Sequence, residues 1–225
     1  MISEIFMDVA AALAELGEHH GKPTFTGRWS EKHWMNTPGP IYCGQSDNCG
    51  TGPAEAPDNV HGDAEGHEVI YRQPVNLLEL EQVINAANCD PWGGYGADGN
   101  LHWTYETIKQ WWAGRGTLIA EVTRLHQEAN QSYQIWLNKT LFGVDFRLVD
   151  LQVYTKMLEW PEFADVEDPR IVYMDCERRR LHSDTSSYNR WKNFIQQDML
   201  QYLQLYMFFL DHGRIAGEDD ILPHL

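Results

Sequence analysis

The sequence predicts a helix-rich α+β single domain with a few short strands and a long loop region rich in Gly, Trp and Asp. Three observations carry this. Apolar residues recur at three- and four-residue steps near both ends of the chain and again after residue 76, as in amphipathic helices. Alternating or β-branched apolar runs are short and scattered, so no βαβ series or internal repeat emerges. From Pro38 to Trp112 Gly, Asp, His and Trp crowd together with three of the four cysteines.

Taken in order, Ile2, Ile5, Phe6, Val9, Leu13 and Leu16 form one apolar face, which predicts a helix over 2–16 that stops at Gly17. Ser30 is a candidate cap for a short helix over Glu31–Met35, ended by Pro38-Gly39-Pro40 before the apolar Ile41-Tyr42-Cys43. Glu68–Arg72 reads as a short strand. Asn76, with Glu79 three residues on, opens a helix to about Asn88. The run Asp90–Asn100 holds four glycines and a proline and predicts irregular backbone. Thr104 caps a helix through Trp112, and Gly114 and Gly116 end it; if the domain divides, 114–116 is the expected boundary. A long helix over Thr117–Lys139 follows. Strands are predicted over Val144–Val153 and Arg170–Cys176, and a last long helix runs from Ser186 or Ser187 to Asp211.

With 225 residues, 43% of them hydrophobic, the chain is long enough to bury a sizeable core, and a disordered chain is excluded. The formal net charge is −16. Residues 1–113 hold 5 Lys and Arg against 16 Asp and Glu, a net charge of −11, so the acidic character belongs mainly to the half with the unusual loop. Such a surface repels nucleic-acid phosphates and anionic membranes and attracts basic proteins. The expectation is therefore no nucleic-acid and no membrane partner. The first residues carry no positive n-region, no apolar run reaches membrane-spanning length, and the four cysteines form no export-type framework, which predicts a cytoplasmic protein.

Three constellations are candidates for function. Cys43, Cys49, His61 and His67 have the spacing C-x5-C-x11-H-x5-H, close to the two-Cys, two-His sets that close a tetrahedral zinc shell. Alternatively these histidines sit in a solvated acidic loop and hold nothing, so the expected cofactor is none, with zinc as the alternative. His61-Gly62-Asp63 also matches the His-x-Asp half of a two-histidine, one-carboxylate iron site. Trp92, Tyr95, Asp98, Asn100, His102 and Trp103 form an aromatic and polar group suited to clamping a partner's side chain or stacking a ring. The same rings would equally anchor a glycine-rich loop onto the core. Arg178, Arg179 and Arg180, with His182, Arg190 and Lys192, make the one basic cluster, read as a solvated face.

No Gly-x-Ser-x-Gly, phosphate-binding glycine loop, dinucleotide fingerprint, His-Glu-x-x-His or Cys-x-x-Cys is present, which leans away from an enzyme. Segments around Gly39–Pro53, Tyr71–Pro74 and Asp90–Thr104 resemble stretches of bacterial proteins without an assigned activity. The resemblance implies a bacterial origin and brings no fold or residue role. The expected function is that of an acidic binding protein for a basic protein partner, in the manner of an immunity or inhibitor protein. A metal-dependent hydrolase using the Cys/His set, and a small-molecule binder using the 92–103 loop, are the alternatives.

Overall fold

A computed structural model of the chain describes residues 5–16, 24–44, 51–141 and 188–225. Among them are seven helices and two small antiparallel sheets, an α+β architecture. The predicted strands at Val144–Val153 and Arg170–Cys176, and the arginines at 178–180, lie outside the described residues. The chain forms two compact units, one of Met1–Thr123 with Asn189–Leu225 and one of Arg124–Tyr188. None of the helices described is long and apolar enough to cross a membrane.

The first helix, α1, spans Val9–Leu16 and is shorter than its apolar spacing predicts. Asp8 ends it on the N-terminal side, its carboxylate accepting the Ala11 amide at 3.0 Å. Phe6, one turn earlier, leaves the helical path and meets Tyr202, Tyr206 and Phe209 at ring distances of 5.9, 6.3 and 5.5 Å. The expected short helix after Ser30 is only a 3-10 turn at Trp29–Glu31. Tertiary bonds divert its backbone. The His33 amide donates to the Cys43 carbonyl at 2.9 Å, and the Asn36 side chain takes the His33 carbonyl at 2.8 Å.

Strand β1 is Tyr42–Cys43, helix α2 is Thr51–Glu55, and β2 at Val60–Gly62 pairs with β3 at Glu68–Ile70. The β2–β3 turn closes through the Asp63 amide donating to the His67 carbonyl at 2.9 Å, with Gly66 at φ 93 supplying a backbone angle other residues resist. Helix α3, Leu77–Cys89, begins as its sequence predicts, with Asn76 accepting the Glu79 amide. Strand β4, Tyr95–Gly96, pairs with β1, Cys43 opposite Tyr95. Thr104 and Thr107 form a reciprocal cap for α4, Tyr105–Ala113, and α5 follows at Arg115–Leu141. The C-terminal helix is interrupted at Asp198 into α6, residues 188–197, and α7, Met199–His212.

Strands of two and three residues make few ladder bonds, and buried side-chain amides supply the rest. Asn36, with no exposed surface, accepts the Cys43 amide at 3.1 Å and the Ile70 amide at 2.8 Å and donates to the Cys43 carbonyl at 2.7 Å. Gln73 does the same for Ile41, accepting its amide at 3.2 Å and donating to its carbonyl at 2.7 Å. These bonds offset the cost of burying backbone polar groups away from a regular sheet. Around them α3 packs Leu80, Val83 and Ala87 against Ile41, Val60 and Ile70.

Candidate functional site

The 90–103 loop is built inward. Asp90 fixes its start, its two carboxylate oxygens accepting the Trp92 amide at 3.0 Å and the Gly94 amide at 2.6 Å around Gly93 at φ 66. Tyr95 is fully buried, and its hydroxyl donates to the carboxylate of Glu68 at 2.6 Å. Gly99 packs directly on the Gly39 carbonyl, and Asn100 accepts the Tyr206 hydroxyl at 2.9 Å. Trp103 is buried, with its ring edge-on to Trp29 at 5.2 Å. Of the six residues that the sequence offers as a binding surface, Tyr95, Asn100 and Trp103 therefore carry contacts that hold the loop. Trp92 stands 69% exposed and Asp98 and His102 are part-exposed, with Leu101 beside them at 82%.

Asp98 sits between two donors, the Tyr42 hydroxyl at 2.8 Å and His102 Nε2 at 3.1 Å. Burial alone would raise its pKa, but the hydrogen bonds from Tyr42 and His102 together hold it below the usual value, so it is ionised. His102 stacks on Trp29 at 4.7 Å with 12° between the planes. Lys32 Nζ lies 5.2 Å from the centroid of the same Trp29 ring and 4.9 Å from that of Trp103, and burial lowers its pKa.

The next residue, His33, leads to a second cluster. Its Nε2 is 3.1 Å from Asp63 Oδ2, and the same oxygen is 3.2 Å from His67 Nδ1. Asp63 Oδ1 accepts the His67 backbone amide at 2.7 Å, which fixes the carboxylate plane. Burial would raise Asp63, but the hydrogen bonds from the His67 ring and amide and the neighbouring imidazoles outweigh it and lower its pKa. Burial outweighs the opposing Asp63 charge and lowers the pKa of His33, favouring its neutral ring. The Met35 amide donates to His33 Nδ1 at 3.3 Å, so the neutral ring carries its proton on Nε2, facing Asp63.

The Cys/His set is divided. Cys43 is buried in β1, and Cys49 lies outside the described residues. His61 faces Trp191 at 5.8 Å, with Nδ1 2.8 Å from the Gly62 carbonyl. Among the described residues of the set, His67 alone joins a group with metal-ligand spacing, and its companions are His33 and Asp63. Sequence reasoning missed Trp29, Lys32, His33 and Trp34, which form the segment joining the two clusters. The signal was the density of Trp, Lys and His in Trp29-Ser30-Glu31-Lys32-His33-Trp34, which a helical reading absorbed. Arg190, from the basic cluster, pairs with Asp58 at 3.1 Å and with the Pro57 carbonyl.

Comparison of the chain with protein-family models, with curated proteins and with solved structures finds no match in any of the three.

Proposed function

We propose that the chain is an acidic binding protein that engages a basic protein surface through the exposed rim of the 90–103 loop. The observation that carries this is Trp92, a large ring 69% exposed on backbone fixed by both oxygens of Asp90. An aromatic anchor on rigid backbone loses little freedom on binding and is a typical hot-spot residue. Its flat face suits a partner's Arg or Lys, and ionised Asp98 adds negative charge to the same loop. The net charge of −11 over residues 1–113 adds long-range attraction. Tyr95 and Trp103, being buried, cannot join Trp92 in enclosing a small molecule between stacked rings, which favours a protein partner. An immunity or inhibitor role against a basic toxin is the concrete form of this reading.

The test is co-expression with the basic products of neighbouring genes, followed by affinity measurement at low and high salt with wild type and Trp92→Ala. Expected is a complex that weakens with salt and loses about 30-fold in affinity on Trp92→Ala, the effect of a hot spot of about 2 kcal/mol. Binding indifferent to both salt and Trp92, or no complex with any of these products, overturns the proposal.

A further inference from the structure

We propose that His33, Asp63 and His67 form a binding site for a divalent first-row transition ion, with zinc the ion of choice for a test. Their donor atoms all lie within 4.8 Å of one another. The two nitrogen-to-oxygen contacts, 3.1 and 3.2 Å, match the spacing of neighbouring ligands around an ion bonded at roughly 2.0–2.2 Å, where donor atoms stand about 3.0–3.5 Å apart. Two imidazoles and one carboxylate suit zinc, iron, cobalt or nickel, and leave positions open for water or an exogenous ligand.

The donors are held before any ion arrives. Asp63 and His67 close the β2–β3 turn through backbone bonds, and the free carboxylate orientation is set by the His67 amide on Oδ1. Such a bond to the second oxygen is the kind of outer contact that orients a ligating carboxylate. His33 comes from a separate segment, secured by its amide on the Cys43 carbonyl and by Asn36 on its own carbonyl. Asp63 has only 5% of its side chain exposed, whereas His67 has 36%, so the cluster is sheltered on one side and opens to water on the other. An ion bound between these atoms displaces the protons now shared there. His33 then carries its proton on Nδ1, and the 3.3 Å contact with the Met35 amide must open.

The experiment titrates chelator-treated full-length protein with Zn²⁺ by calorimetry and with Co²⁺ by absorption spectroscopy, alongside His67→Gln, Asp63→Asn and Cys49→Ser. Expected is one ion per chain, affinity reduced at least tenfold by His67→Gln and by Asp63→Asn, no effect of Cys49→Ser, and a cobalt spectrum without thiolate charge-transfer bands. The Met35 amide resonance should shift on loading. Should a variant be unfolded, the zinc-induced rise in Tm of the other decides, since an ion bound by the folded state raises it. Absence of saturable binding, binding that survives both ligand substitutions, or thiolate bands lost in Cys49→Ser would each overturn the proposal.

Discussion

Tyr95→Phe removes one oxygen from a residue that the sequence offers as a surface contact and the structure places inside. Its hydroxyl is fully buried and donates at 2.6 Å to Glu68, a carboxylate only 2% exposed whose other oxygen accepts the Gly52 amide at 2.9 Å. A hydrogen bond to a charged, buried acceptor contributes about 1.5–3 kcal/mol, so a loss of about 2 kcal/mol is expected near neutral pH. With a urea slope of about 1–3 kcal/mol per molar, the midpoint of the Met1–Thr123 unit should fall by roughly 1 M. Burial raises the Glu68 pKa above its ordinary 4.5, while the Tyr95 hydroxyl and Gly52 amide pull it down. A raised carboxyl favours the folded state below the unfolded pKa and loses that contribution as pH rises through the folded value. Deleting the Tyr95 donor raises the folded value further. The deficit of Tyr95→Phe should therefore be smallest near pH 4.5 and grow toward neutrality. Tryptophan fluorescence through urea titrations at acidic and neutral pH measures both. A midpoint change below about 0.3 M at neutral pH, or a deficit that shrinks as pH rises, would refute the reasoning.

Further outcomes follow from the geometry. A methyl group at Gly99 would run into the Gly39 carbonyl and stand 2.9 Å from that of Pro40, so Gly99→Ala should destabilise by about 1–3 kcal/mol. Gly116→Ala, in α5 with nothing within 4 Å, should instead stabilise by about 0.5–1 kcal/mol, and thermal melts of the two compare them directly. The Asp220 carboxylate, paired with Arg214 at 2.6 and 2.7 Å, has its pKa lowered to about 2. Its contribution to folding is present above the ordinary value of 3.8 and lost as pH falls through about 2. An NMR titration should place its midpoint there, and Arg214→Gln should return it toward 3.8.

The candidate site was legible only in part. Asp98 and His102 stand four residues apart in a loop already marked by its composition, and the structure joins them. Asn100 and Trp103 carry the same chemical signature, yet Asn100 faces Tyr206, 106 residues away, and Trp103 faces Trp29. Residue type says that a ring or an amide needs a partner; it does not say whether the partner is inside the molecule. His67 illustrates the same limit, since its spacing from Cys43 and Cys49 suggested thiolate companions, while the fold brings His33 to Asp63 instead.

What the sequence determined by itself is the set of elements whose bonds are local. The α3 start rests on Asn76 and Glu79, and the α4 start on Thr104 and Thr107, each cap made within three residues. What only the tertiary structure decided is where short strands meet and which way the aromatic loop faces. Asn36 bonds Ile70, and Gln73 bonds Thr37 and Ile41, across 32 to 36 residues. In the sequence these are polar residues between apolar runs, indistinguishable from solvent-facing loop. They become cross-links because burying short strands leaves amides and carbonyls that only distant side chains can satisfy.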